Sequence, residues 1–251
     1  MPYGLYISAE GAQAQSRRLE VIANNLANVD TVGFKRQLAM FQARYAEAVD
    51  QGKASPGSGS INDLGGGVKV VGTATDFNNG PLKETRLPTD VALRRDGFFE
   101  VRRGDETLLP RAGNFQMRPR GELVTQQGYS VLNDAGTPIT IERPEAPWQI
   151  SAAGDVQQQG SATQRMAIVQ PAAPESLVRV GENLFRADTP APAAAAENRD
   201  VAQGYVEMSG VSATSEMVEM LETTRAVEAN LNMMQTQNQM LSGVVDRLMK
   251  V

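Results

Sequence analysis

The chain has 251 residues, only 5% of them aromatic, and carries 24 lysines and arginines against 29 acids, a net charge of -5. That length admits one or two domains with a sizeable core, and cations dispersed without a basic block exclude nucleic acid as the main partner, because phosphate binding needs concentrated positive charge. Cysteine and histidine are both absent, which removes disulfides, thiolate nucleophiles, zinc-thiolate sites and the commonest general base, metal ligand and pH switch.

The first residues, "MPYGLYISAEGAQAQSRRLE", lack a basic n-region, a continuous apolar h-region and a small-residue cleavage site. No run is long enough to span a bilayer. Neither a cleavable signal nor direct membrane insertion is therefore expected. From Leu5 to Asn28 the apolar pattern predicts a helix: Leu5, Ala12, Leu19 and Leu26 are seven apart, with Ala9, Ile22 and Ala23 beside them. Its small residues leave room for a close partner.

The helix runs into "NNLANVDTVGFKRQ", Asn24 to Gln37, where Asn24, Asn25 and Asn28 surround Leu26. Asparagine ends helices because its carboxamide competes for nearby backbone groups, and Gly33 permits a turn. Asn24 and Asn28, four apart, are expected on one face beside Leu26, with Asn25 pointing elsewhere. A group that donates and accepts at once suits a helix end that meets another helix or backbone.

Residues 51 to 67, "QGKASPGSGSINDLGGG", have linker composition. The organisation expected is a helix and signature segment over 1–50, the linker over 51–67, a β domain over 68–207 and a final helix over 208–251. Within the β domain, short runs such as "VALRRDGFFEV", "YSVL", "WQI", "MAIVQ" and "LFRA" alternate with turn signals including Asp96-Gly97 and Ala153-Gly154-Asp155. The fold class expected is mixed α and β, with terminal helices pairing as a coiled coil and one central all-β domain.

Three motifs have plainer readings than their first appearance. "LGGGVKV" lacks the Gly-Lys-Ser/Thr of a phosphate loop and reads as a lead into a strand. Arg103-Gly104-Asp105 matches an adhesion tripeptide, yet a hairpin turn needs glycine and aspartate there anyway. Asp90, Asp96, Glu100, Asp105 and Glu106 offer carboxylates for glycoside hydrolysis, but nothing in their spacing requires it.

A second loop, "RADTPAPAAAAENRD" at 186 to 200, precedes the clearest periodic signal, Ser212 to Val251. Met217, Thr224, Leu231, Asn238 and Val245 form one heptad series, and Met220, Val227, Met234, Leu241 and Leu248 a second, three residues later. Ser212 or Ser215 is expected to cap the start. Such a helix is about 60 Å long, too long for a compact domain to bury its seam. Asn238 in the seam is a register-setting residue in one reading and a surface residue in the other.

Two terminal helices, a β domain between them and no catalytic inventory describe a building block. At this point the chain resembles the bacterial flagellar rod and hook family, through "NNLANVDTVGFKR" (24 to 36), "GPLKETRLPTDVALRRDGFFEV" (80 to 101), "GNFQMRPRGELVTQQGYSVL" (113 to 132), "GENLF" (181 to 185), "QGYVEMSGV" (203 to 211) and "EMVEMLETTRAVEAN" (216 to 230). At 109 to 111, Leu-Pro-Arg stands where many relatives have Tyr-Thr-Arg. The length and the single β domain fit the single-domain rod subunits, proximal in preference to distal.

The resemblance implies a non-enzymatic subunit of a hollow helical rod, exported by the flagellar type III apparatus without a cleavable signal. It also implies partners that are copies of the chain and other rod subunits, proximal and distal, and no cofactor or metal. The assembly interface it implies comprises Leu5, Leu19, Ile22, Asn24, Asn25, Leu26 and Asn28 in the first helix. In the last it comprises Met217, Met220, Leu221, Val227, Leu231, Met234, Asn238, Leu241 and Leu248. The leucines and Ile22 of the first helix are expected against Met217, Leu221, Leu231 and Leu241.

Overall fold

A computed structural model describes residues 3–45, 49, 51–52, 55, 65–159 and 161–249. Most of the 51–67 linker lies outside the described residues. The chain divides into two compact units that are discontinuous in sequence. One combines residues 1–27, 37–75 and 212–251; the other combines 28–36 with 76–211. The strand that opens at Val68 thus belongs with the terminal helices, and the segment after Ala27 belongs with the β structure.

The helical unit contains α1 (Tyr3–Ala27), α2 (Ala213–Leu248) and a two-stranded ribbon of β1 (Gln37–Ala43) and β2 (Val68–Thr75). The helices run antiparallel: Gly4 lies against Gln237, Gly11 against Asn230, and Arg18 reaches Glu219 at 3.6 Å. The ribbon is antiparallel with Gln37 opposite Thr75, and a bulge follows Met40. It packs on the flank of α1 around Glu10, Ala14 and Arg17. An isolated two-stranded ribbon is marginal in water, and α1 supplies the surface that stabilises it. Ser212 occupies the N-cap of α2, but its hydroxyl accepts from Ser215 rather than capping a backbone N–H.

The β unit is built on a seven-stranded antiparallel sheet. In spatial order its strands are Val178–Gly181, Leu184–Arg186, Glu106–Pro110, Val101–Arg103, Ser130–Val131, Leu123–Val124 and Gln116–Met117. Trp148–Ile150, Asp155–Gln158 and Ser161–Arg165 form a smaller sheet. Short pairs join distant segments: Val91–Leu93 with Val201–Gln203, and Leu82–Glu84 with Tyr205–Glu207. The core gathers inward residues of these strands and of the segments between them, among them Val91, Phe99, Leu108, Leu123, Ile139 and Trp148. A second cluster stacks Phe77, Phe98 and Phe185 with ring centroids 5.4–5.9 Å apart, within the range where edge-to-face aromatics attract. The expected mixed fold is what the chain adopts: a helix at each end, paired, with β structure between.

Arg103-Gly104-Asp105 is the tip of the hairpin joining Val101–Arg103 to Glu106–Pro110, and Gly104 adopts φ +63° there. Arg103 pairs with Glu106 at 3.1 Å. Asp96 accepts from the Asn79 amide at 3.0 Å. These charges serve local structure.

Candidate assembly interface

Because α1 and α2 bring the two ends of the chain together, their seam is the first candidate for a functional surface. On α2 the buried or half-buried positions include Glu216, Met220, Thr223, Val227, Asn230, Met234 and Gln237, alternately four and three apart, with Ala213, Glu219, Thr224 and Ala226 half-buried beside them. On α1 the corresponding line is Gly4, Ser8, Gly11, Gln15, Arg18, Ile22 and Asn25. Of the two heptad series expected on α2, the second is in the seam, through Met220, Val227 and Met234. The first is displaced by one residue at three of its positions: Glu216, Asn230 and Gln237 take the contact in place of the exposed Met217, Leu231 and Asn238, while Thr224 stays half-buried beside the buried Thr223.

The displacement has a steric cause. Gly4 and Gly11 lie seven apart and open space for two carboxamides that are also seven apart. A methyl group at Gly4 would sit 2.8 Å from Gln237 Nε2, and one at Gly11 3.1 Å from Asn230 Oδ1. Small residues on α1 thus admit long polar residues from α2. The result is a polar seam, and the buried carboxamide oxygens of Gln15 and Gln237 have no hydrogen-bond partner in it. Each such orphan costs free energy.

At one end of the seam Asn25 acts as a latch. It is 1% exposed; its amide donates to Gln37 O at 2.8 Å, and its carbonyl accepts from Gln37 N at 2.9 Å. The same amide also lies 3.3 Å from Glu216 Oε2 on α2. One side chain therefore imitates a strand partner for the first residue of β1 and ties it to α2. Asn25→Ala removes the side-chain partner of both Gln37 backbone groups and one contact of Glu216, and is expected to destabilise the helical unit by roughly 1–3 kcal/mol. Thermal melting followed at the helical circular-dichroism band checks this; a wild-type transition would refute the latch.

The other expected interface residues distribute unevenly. Ile22 is buried, Leu5, Leu19 and Leu26 are half-buried, and Asn24 is exposed. Asn28 falls in the β unit, where its Oδ1 accepts from Thr31 Oγ1 at 3.1 Å. Met217 (52%), Leu221 (62%), Leu231 (45%) and Leu241 (39%) are exposed, so in the single chain they do not pack against α1 as expected. Asn238 is exposed too. Leu248 ends the α2 backbone, but its side chain lies outside the described residues.

The segment after Asn28 organises the β unit. Gly33 adopts φ +66°, and its N–H donates to Glu207 O at 2.7 Å. Phe34 is buried beneath the Arg179 guanidinium, 4.6 Å from the ring centroid, a cation–π contact. Next comes Lys35, whose side chain is 2% exposed. Its ammonium donates to Glu207 Oε1 at 2.8 Å and to the carbonyls of Asn78 at 2.9 Å and Phe77 at 3.2 Å.

Arg111, 1% exposed, approaches the same carboxylate from the other side, Nε to Glu207 Oε2 at 2.5 Å. Its other nitrogens donate to Gly97 O, Leu93 O and Asn79 Oδ1. Glu207 also accepts from Gly80 N at 3.0 Å. Burial holds the Lys35 ammonium below its ordinary pKa, with Glu207 opposing the shift. Sequence reasoning missed this knot entirely, although "GFKR", "NNGPLKE", "DGFF", "LPR" and "YVEM" each contribute to it.

The outcome is a protein whose first and last helices form one helical unit with apolar residues left outside the seam, and whose Gly33–Lys35 segment helps lock a β unit around a buried ion cluster. That is the build of a structural subunit. The chain belongs to the flagellar basal-body rod protein family. The family model "Flagella basal body rod protein" matches residues 5–35, "Flagellar hook protein FlgE/F/G D1 domain" matches 92–158, and "Flagellar basal body rod FlgEFG protein C-terminal" matches 202–246.

Among its relatives is the flagellar basal-body rod protein FlgF of Caulobacter vibrioides, 31% identical over 251 residues and all of both chains. The rod protein FlgG of Bacillus subtilis is 30% identical over 96% of this chain and 97% of its own. FlgG of Caulobacter vibrioides is 33% identical over 94% and 96%.

Proposed function

We propose that this chain is a structural subunit of the proximal flagellar rod, polymerising through its terminal helices into a hollow shaft that transmits torque and lines an export channel. The observation that carries this reading is the hairpin of chain ends with apolar side chains turned outward, in a chain aligned end to end with rod proteins. Its partners are copies of itself and neighbouring rod subunits, and it reaches the periplasm through the flagellar type III apparatus. No helix among the described residues is long and apolar enough to cross a membrane. Among them, too, no group of three or more His, Cys, Asp or Glu is placed to hold a metal ion. The role is mechanical and needs no chemistry.

The distal rod is the second reading, favoured by FlgG relatives of comparable identity. Imaging of isolated basal bodies with and without the subunit separates the two, because loss of the proximal rod removes everything beyond it. Leu231→Asp puts a charge on the exposed stripe of α2 without entering the seam. It is expected to abolish motility while leaving the purified chain's melting transition within about 0.5 kcal/mol of wild type, as for an exposed site. Wild-type swimming by this variant would sink the assembly reading.

A further inference from the structure

We infer that the overhanging end of α2 docks into an apolar trough on the helical hairpin of a second copy of this chain. The inference rests on the proposed polymerising function and gives it a contact. Both surfaces lie in the helical unit.

The trough follows from helix geometry. One residue is a 100° turn about a helix axis. In an antiparallel pair the two helices wind oppositely when viewed from one end, so a step of one residue beyond the seam moves to the same side of the pair on both. On α1 that step leads from Gly4, Gly11, Arg18 and Asn25 to Leu5, Ala12, Leu19 and Leu26. On α2 it leads from Glu216, Thr223 and Asn230 to Met217, Thr224 and Leu231. The polar or small member of each doublet faces inward, and the member beyond it, apolar at every position except Thr224, lies on one shared face. The ribbon of β1 and β2 packs on the opposite flank, around Glu10, Ala14 and Arg17. Leu5, Leu19 and Leu26 are only half-buried, with the small, buried Ala12 as the floor between Leu5 and Leu19; on the other wall Met217 and Leu231 stand exposed and Thr224 is half-buried.

The occupant is on the same chain but out of its own reach. α1 begins opposite Gln237, so α2 continues beyond it for about 12 residues or 18 Å. In this overhang Met240 is 63% exposed, Val244 55%, Val245 51% and Met249 81%. Among the described residues nothing covers them. The trough from Leu5 to Leu26 is about 32 Å long and accommodates that length. An apolar helix end without a partner and an apolar trough without a third helix are complementary surfaces on one molecule. Because they are different surfaces, their pairing is head-to-tail, the kind of contact that generates a filament wherever its rotation does not close into a ring.

The natural chain has no cysteine, so the test can use engineered pairs. Leu19 and Val244 lie about 33 Å apart along the hairpin axis of one chain, far beyond the roughly 7 Å Cα separation a disulfide tolerates. Any disulfide between them joins two copies. In a strain whose only copy carries Leu19→Cys and Val244→Cys, basal bodies treated with a mild oxidant are expected to yield a ladder of covalent subunits. Arg17→Cys with Val244→Cys, which places the first thiol on the ribbon side, is expected to yield none.

A Leu19 pair that enters basal bodies and gives no ladder, or a ladder equally strong from the Arg17 control, overturns the docking and leaves the rod function standing. Absence of the wild-type chain from basal bodies instead overturns the rod function. A variant without thiols covers failure of the cysteine pair to assemble. Val244→Glu, with wild-type helicity in the purified chain, is expected to lower incorporation at least tenfold, and undiminished incorporation refutes the contact.

Discussion

Glu207→Gln is expected to be the most damaging single substitution in the β unit, costing about 3–5 kcal/mol. In the native protein one carboxylate lies between Lys35 at 2.8 Å and Arg111 at 2.5 Å, with all three side chains at most 2% exposed. The cluster thus holds two cations and one anion out of water. Glutamine keeps the shape and some hydrogen bonds but leaves two buried positive charges with no counter-ion, and a buried charge without compensation is among the largest known penalties. Lys35→Met acts differently. It leaves Glu207 and Arg111 as a neutral pair, so its cost is set by the carbonyls of Phe77 and Asn78 losing their donor, about 1–3 kcal/mol.

The two variants together should be less unstable than the separate costs imply, because removing one cation relieves the repulsion that Glu207→Gln creates. Urea unfolding of the three proteins measures this, and a strictly additive double variant would refute the shared-carboxylate account.

The same cluster sets a pH dependence whose sign follows from Lys35. Burial lowers its pKa in the folded chain relative to the unfolded chain. At pH below the folded value both states hold the proton, and the cost of burying the charge is fully expressed. Between the folded and unfolded values the unfolded chain binds more protons, so stability rises with pH from this group. Lys35→Met should remove that alkaline rise.

What could be read in the residues, and what could not, divides along a physical line. The heptads of α1 and α2 survive in sequence because a helix repeats its exposure every few residues, and both helices and their pairing are where the pattern puts them. Only one of the two seam series departs from the pattern: hydrophobicity selects Met217 and Leu231, whereas the pair is built where Gly4 and Gly11 admit Gln237 and Asn230. Small residues opposite long ones are a steric fit that no one-dimensional pattern carries.

Asn25 shows the same limit. Of three neighbouring asparagines it is the buried one, because Gln37, twelve residues on, returns to its side chain. The ion cluster was least legible of all. Lys35 and Glu207 are 172 positions apart and Arg111 and Glu207 96 apart, and a buried charge looks on the page like a solvated one. The signal that existed was position: Lys35 follows Phe34, and Glu207 ends a strand whose middle residue, Val206, is buried.

Gly33→Ala is expected to cost about 2–5 kcal/mol, the sum of a backbone and a packing penalty. At φ +66° any L side chain is strained by about 1–2 kcal/mol. The added methyl group would also lie 2.5 Å from Ala112 N and 2.8 Å from Ala112 Cα and Arg111 C. These are backbone atoms, so relief requires moving the strand end that carries Arg111, and with it the guanidinium bound to Glu207.

Gly104 provides the control. Its φ is +63°, but nothing lies within 4 Å of a methyl group there, so Gly104→Ala should show the backbone term alone, about 1–2 kcal/mol. The difference between the two urea midpoints isolates the close approach. Equal losses would mean that Gly33 serves only the turn; a larger loss at Gly33, accompanied by a weakened alkaline rise, would place it in contact with the knot. On this account the glycine of "NVDTVGFKR" is required less for bending the chain after the helix than for letting that segment lie flat on Arg111 and deliver Lys35 to Glu207.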